Sequence, residues 1–387
     1  MLELLFLLLP VAAAYGWYMG QRGARLDNQQ SSHKLSRNYV AGINFLLSEQ
    51  PDKAVDLFIE LLQVDDETLE THLALGNLFR QRGEVDRAIR IHQNLIARPS
   101  LTFDQRNLSM LELARDFIAA GLLDRAENIL SELVRHDEHE EEAAALLIGV
   151  YQQMRDWEKA ISVATRSRKK LGDKILPPLA NFYCELAAQE SLEAGDKRSI
   201  SFLKKAISVD ENCIRASLAL ADIYLKQNDK SLAADILVLI GDKDPDFVSE
   251  ALPLLQRCFP ISDPRYKAIL LKWLEQSSST SIALALADLT HAEQGVVEAE
   301  QLILKELKRN PTMRAFSRLM DYRLAELDST QAKESISLLK NLVEKQISMK
   351  PNYRCQRCGF STKVIFWQCP SCKQWASIKP IRGLDGE

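Results

Sequence analysis

The sequence predicts an all-α chain: a right-handed solenoid of paired helices, behind an N-terminal transmembrane helix and ahead of a small metal-binding knuckle. Three observations predict it. An apolar run opens the chain, a 34-residue period organises the middle, and two C-x2-C pairs stand near the end. Composition agrees. Of 387 residues only 15 are Gly and 13 are Pro, with many Leu, Ala, Glu and Lys, a helix-rich balance.

The first element is a transmembrane anchor at 1–20. Residues 4–19 are apolar throughout, close to the about 20 residues a spanning helix needs. Tyr15, Trp17 and Tyr18 suit the membrane interface or a neighbouring membrane helix. Arg22, Arg25, Lys34 and Arg37 follow, whereas only Met1, Leu2 and Glu3 precede. Positive charge is retained in the cytosol, so the single pass puts the N-terminus outside and the bulk of the chain in the cytoplasm. The competing reading is a cleaved signal peptide with a site at Ala12-x-Ala14. It wants positive charge ahead of the apolar run, where this chain has Glu3. Residues 21–34 form a cytoplasmic linker.

Repeats then run from 35 to 349. In 69–102, Gly76 stands at position 8, Phe79 at 11, Gly83 at 15 and Ala88 at 20. The frame recurs at 35–68, 107–140, 141–174, 214–247 and 280–313, with a weaker copy at 180–213. Small residues at 8 and 20 let two antiparallel helices approach closely. An aromatic at 11 fills the gap between repeats, and Pro at 32 (Pro245, Pro311) ends the second helix. The pattern resembles the tetratricopeptide repeat. Residues 248–279 and 314–349 keep helical periodicity without the frame and read as degenerate repeats of one solenoid with a concave face.

Groove positions on the first helices nominate Asn77, Arg80, Arg115, Gln152 and Asp222 as partner-binding residues. His72 and His92 fall on packing positions 4 and 24. Asp137–Glu142 reads as a solvated helix start. The sequence holds no H-E-x-x-H, no G-x-S-x-G, no phosphate-binding glycine loop and no dinucleotide fingerprint. The expectation is therefore a binding protein and not an enzyme.

The last element, 350–387, carries Cys355, Cys358, Cys369 and Cys372 as C-x2-C-x10-C-x2-C. Each pair can place two thiolates on one ion, and two pairs complete a tetrahedral S4 cage. In a reducing cytosol such a cluster reads as a metal site rather than two disulfides. Cys184, Cys213 and Cys258 are scattered and odd in number, as reduced thiols would be. One structural metal ion is expected, with zinc favoured and iron the alternative. The module holds seven Lys or Arg against two Asp or Glu, net +5, and leaves −9 for the rest of the chain. That split predicts docking of the module on the repeats, with Trp367 or Trp375 supplying an apolar contact. Tyr353, Phe360 and Phe366 complete the aromatics in and around the cysteine motif. Nucleic-acid binding by this basic, aromatic surface is the rival reading, but so small a module needs most of its aromatics for a core.

The apolar start Met1–Arg25, the repeat frame, and Cys355-Gln-Arg-Cys358-Gly-Phe with Cys369-Pro-Ser-Cys372 together resemble the lipopolysaccharide assembly protein B family of Gram-negative bacteria. The C-terminal part is similar to a rubredoxin-type fold. Lys373 follows Cys372 where a rubredoxin usually carries Gly, which argues against electron transfer. The resemblance implies an inner-membrane adaptor. It would bring the lipid A pathway deacetylase (LpxC) to the membrane AAA+ protease (FtsH), limit lipopolysaccharide output, and meet other lipopolysaccharide assembly proteins of the inner membrane. Its mechanism would be proximity on a tethered scaffold. The alternatives are an envelope scaffold acting directly in lipopolysaccharide assembly or transport, and a nucleic-acid adaptor.

Overall fold

Helix follows helix from Asp66 to Met349 in the computed structural model. The structure describes residues 66–99, 101–136, 139–193, 196–327, 329–384 and 386, with 40–42, 44, 45, 53 and 57 ahead of them. The anchor at 1–20 with Tyr15, Trp17 and Tyr18, the linker and most of the repeat at 35–68 lie outside the described residues. Among the described residues no helix is long and apolar enough to cross a membrane.

The helices are α1 (Asp66–Gln81), α2 (Val85–Ile96), α3 (Phe103–Ala119), α4 (Leu123–Leu133), α5 (Glu140–Met154), α6 (Trp157–Arg166) and a single turn α7 (Arg168–Leu171). Then come α8 (Leu176–Glu193), α9 (Asp196–Val209), α10 (Ile214–Lys226), α11 (Lys230–Lys243), α12 (Val248–Cys258) and α13 (Pro264–Gln276). The series ends with α14 (Thr280–Gln294), α15 (Val296–Arg309), α16 (Met313–Glu326) and α17 (Thr330–Met349). Two 3-10 turns, Gly172–Ile175 and Pro245–Phe247, interrupt the series. The chain divides into two compact units, Met1–Val150 and Tyr151–Glu387.

Local chemistry sets the boundaries. Thr102 closes a capping box with Gln105 at the start of α3. Asp156, Asp229, Ser279 and Thr312 each accept from the backbone N–H three residues on. Gly83 (φ +82°) and Gly121 (φ +74°) make the inter-helix turn at frame position 15. Arg155 (φ +59°) and Asn228 (φ +62°) take the same left-handed turn at position 15 of their repeats. A side chain there costs about 1–2 kcal/mol, and the packed helix pair imposes it.

The frame is a packing rule. Ala88, Ala114, Ala126, Ala160, Ala221, Ala233, Ala287 and Ala299, all at positions 8 or 20, are fully buried. Gly76 shows why position 8 must be small: a Cβ there would lie 2.3 Å from His92 Nε2. His92 itself is fully buried, with Nδ1 donating to Asp116 Oδ2. In the second unit one continuous apolar core runs from Ala180 to Leu289. The frameless stretch 248–279 joins it as α12 and α13, through Leu252, Leu255, Leu270 and Trp273. The other, 314–349, forms α16 and α17, with Ala315 and Tyr322 in a second cluster behind Ala287 and Ala299.

The C-terminal module is a three-stranded antiparallel sheet in the order β2-β1-β3. It comprises β1 (Tyr353–Cys355), β2 (Ser361–Thr362) and β3 (Ile378–Pro380). Tyr353 pairs with Thr362 on one side and Pro380 on the other. Cys355, Cys369 and Ile378 form its centre, with Phe360 against them.

Candidate metal centre

Two knuckles of like geometry carry the thiols. At the end of β1 the Cys355 N–H donates to Phe360 O (2.8 Å) and the Gly359 N–H to Cys355 O (3.0 Å). In the second, the Cys369 N–H donates to Gln374 O and the Lys373 N–H to Cys369 O, both at 2.9 Å. Gly359 (φ +77°) and Lys373 (φ +58°) occupy the same left-handed position. Lys373 thus makes, with a side chain, the turn that Gly makes without one, and the knuckle is kept.

All four Sγ atoms lie within 4.8 Å of one another. Cys355 and Cys372 are 3.7 Å apart, and Cys358 and Cys369 are 3.6 Å apart. A disulfide needs about 2.0 Å. A zinc–sulfur bond of about 2.3 Å places sulfurs of a tetrahedron about 3.8 Å apart. The closest pairs therefore join one knuckle to the other, as a shared ion requires. A bound cation would act as the cross-link between knuckles. The donors around the sulfurs suit thiolates. The contact with the Ser377 hydroxyl, then the N–H groups of Cys358 and Arg357, bring the Cys355 thiol down to about 6. The Phe360 N–H holds Cys358 below the ordinary thiol value. Despite the Gln374 N–H, desolvation and the three neighbouring sulfurs push Cys372 up to about 11. Four sulfurs this close cannot all ionise unless positive charge joins them.

The module is docked on the helices of its own unit. Trp375, 5% exposed, meets Phe182 of α8 edge to face at 5.8 Å and Trp157 of α6 at 6.3 Å. Its indole N–H donates to Gln152 Oε1 at 2.9 Å, and Gln368 Nε2 donates to the same oxygen at 3.0 Å. Trp367 stacks on Phe247 at 6.0 Å. The Tyr353 hydroxyl donates to Glu250 Oε1 at 2.7 Å. Lys379 Nζ lies 3.0 Å from Asp244 and 2.9 Å from Asp246, and Arg382 donates to Pro245 O at 3.0 Å. The basic module meets acidic helix ends through ion pairs, and where one of Trp367 and Trp375 is expected to supply apolar contact, both do.

The nominated groove residues divide. Gln152 is taken by the module. Arg80 donates to Asn77 Oδ1, Glu112 and the fully buried Asp116, and it sits in the first unit with Arg115. Arg115 pairs with Glu112 at 2.8 Å and with Glu142, which stands in the first turn of α5. Asp222 is held by Lys226 (2.9 Å) and Arg257 (3.0 Å). Their partners, Glu112, Asp116, Glu142 and Arg257, were not anticipated. They are ordinary helix-surface charges until the helices are assembled. Cys184 and Cys213 are buried neighbours with Sγ atoms 3.9 Å apart, away from the four-thiol centre.

Residues 353–380 match the family model of a rubredoxin metal-binding domain, and residues 71–102 match a tetratricopeptide repeat. The chain is 46% identical over 388 residues to lipopolysaccharide assembly protein B of Escherichia coli (strain K12), covering the whole of both chains. It is 42% identical over 394 residues, 98% of each chain, to the protein of that name from Haemophilus influenzae. Among solved structures, MamA aligns over 47% of this chain and 95% of its own at 20% identity and a TM-score of 0.33. Full-length identity of this order shows that the chain belongs to the lipopolysaccharide assembly protein B family.

Proposed function

We propose that this chain is a membrane-anchored adaptor that limits lipopolysaccharide synthesis by bringing the lipid A pathway deacetylase to the membrane AAA+ protease. The observation that carries the reading is 46% identity, end to end, with a protein named for lipopolysaccharide assembly. The architecture supports it. Stacked helix pairs offer extended surface for partners, and Arg115 (31% exposed) and Asp222 (33%) keep part of their side chains at that surface. The metal is zinc in a structural role, clamping a module that is itself clamped to the repeats. Residues 1–20 tether the scaffold in the inner membrane with the repeats in the cytoplasm, so two partners meet at raised effective concentration. Trp375 is buried against Phe182 and Trp157, which removes it from base stacking, and Trp367 has one face taken by Phe247.

Two measurements test this. A compartment-sensitive reporter fused after Glu387 should be active in the cytosol, and periplasmic activity would point instead to a scaffold acting directly in the envelope. Deleting residues 2–20 should release the chain from membranes and slow deacetylase turnover. Normal turnover with the soluble form at native expression would overturn the tethering mechanism.

A further inference from the structure

Docking of the metal module leaves a cleft of about 520 Å³ between it and helices α5, α6 and α8. That volume lies within the usual range for ligand sites, about 300–1,000 Å³. One wall is the segment between the two knuckles, Ile365–Gln368; the other comes from Gln152, Arg155, Trp157 and Gln189. Phe366 lines it with 43% of its surface exposed, although large aromatics favour burial. The nearly buried Trp375 also lines it. Gln152 spends its carbonyl oxygen on Trp375 and Gln368, which turns its amide nitrogen into a donor with no partner among the described residues.

The charge in the cleft is one-sided. Glu185 is neutralised by Arg215 at 2.8 Å. Arg155 is exposed, and its guanidinium makes no hydrogen bond or ion pair among the described residues. An apolar shelf beside an unpaired guanidinium and a spare amide donor is complementary to a bulky apolar side chain next to a carboxylate. The cleft is partly open to solvent, so side chains of a partner segment lying across its mouth can enter it.

We infer that this cleft is a peptide-binding site, for an extended segment of a partner protein in which an aromatic or leucine side chain precedes Asp or Glu. The apolar side chain lies against Phe366 and Trp367, and Arg155 holds the carboxylate. One wall belongs to the metal module, so the site exists only while the metal holds that module folded. The inference deepens the adaptor reading and rests on it only for the identity of the partner.

The test uses the full chain in detergent micelles and a fluorescein-labelled, end-blocked peptide, Gly-Leu-Phe-Asp-Gly, read by anisotropy. Saturable binding is expected, at least tenfold tighter than for the same peptide with Asn in place of Asp. Arg155→Glu should remove that preference, Arg155→Lys should keep part of it, and Phe366→Ala should weaken both peptides alike. Arg90→Glu, at an exposed position of the first unit, should change nothing. An equal affinity for the Asp and Asn peptides, or no saturable binding, overturns the proposal. Metal content of each variant shows that the module is intact. Binding of purified deacetylase to the same variants separates the two readings: capture that is indifferent to Arg155→Glu sinks the cleft and leaves the adaptor. Peptide binding without deacetylase capture leaves the cleft and sinks that partner.

Discussion

The indole N–H of Trp375 reaches Gln152 Oε1 at 2.9 Å across 223 positions of sequence. The bond is local in space and remote in the chain, so it reports directly on docking of the metal module. Trp375→Ala removes a large buried ring, and about 3–5 kcal/mol is expected to go with it. Gln152→Ala leaves the ring packed but strands a buried donor, at about 1–3 kcal/mol. Both should raise hydrogen exchange in 353–380 and in α6 and α8, with the tryptophan variant the more severe. A Gln152 variant with unchanged protection would show that water replaces the amide.

The metal should be felt beyond its own ligands. Cys355→Ser with Cys358→Ser should lower metal content from about one ion per chain to none, since two of four ligands are gone. Without the cross-link the module has too small a core to stay folded. Lys379 and Tyr353 then lose their fixed positions against Asp244, Asp246 and Glu250. Exchange should rise at 244–252 as well as at 353–380. Protection retained at 244–252 in the metal-free variant would make the module an independent appendage.

How much of this was readable beforehand follows from the range of each interaction. The four cysteines were readable because ligand spacing within a knuckle is a local property of the chain. The alanines at positions 8 and 20 were readable because helix approach repeats every 34 residues. The sign of the docking was readable from charge alone, and its two tryptophans from the small size of the module. Its address was not. Gln152 stands at a groove position, which marks it for a contact but not for this one, and nothing near Phe182 or Glu250 marks them as receivers of residues more than a hundred positions away. Arg155 was hidden differently. It fills a turn position that Gly83 and Gly121 fill elsewhere, so its guanidinium gains meaning only beside the cleft.

Tyr322 should give the second cluster a signature in alkali. Burial, then the Asp288 carboxylate that accepts its hydroxyl hydrogen bond, push its pKa from the ordinary 10 to about 12. In the unfolded chain the phenol ionises near 10, while in the folded chain it stays neutral. Its contribution to stability is therefore complete below pH 10 and is lost as pH rises toward 12. Urea midpoints taken from pH 9 to 11.5 should fall less steeply for Tyr322→Phe than for the parent chain. Parallel slopes would mean that the phenol ionises equally well in both states.

Three glycines should answer a methyl group in opposite ways. At Gly241 of α11 a Cβ would lie 2.4 Å from the Trp273 ring, which is fully buried and has no room to retreat. At Gly76 the obstacle is the fully buried His92 ring at 2.3 Å, fastened to Asp116. Each Gly→Ala change there overpacks the contact between two helices, at about 1–3 kcal/mol. Gly149 of α5 meets nothing within 4 Å. There the change only removes backbone freedom from the unfolded chain, and a gain of about 0.5–1 kcal/mol is expected. Chemical unfolding of the three variants should therefore place Gly149→Ala above the parent chain and the other two below it. Exchange should rise in α2 for Gly76→Ala and in α13 for Gly241→Ala, because each helix carries the ring that must move. A neutral Gly76→Ala would mean that His92 leaves Asp116 at little cost, and that the small residue at position 8 is not what sets the approach of α1 and α2.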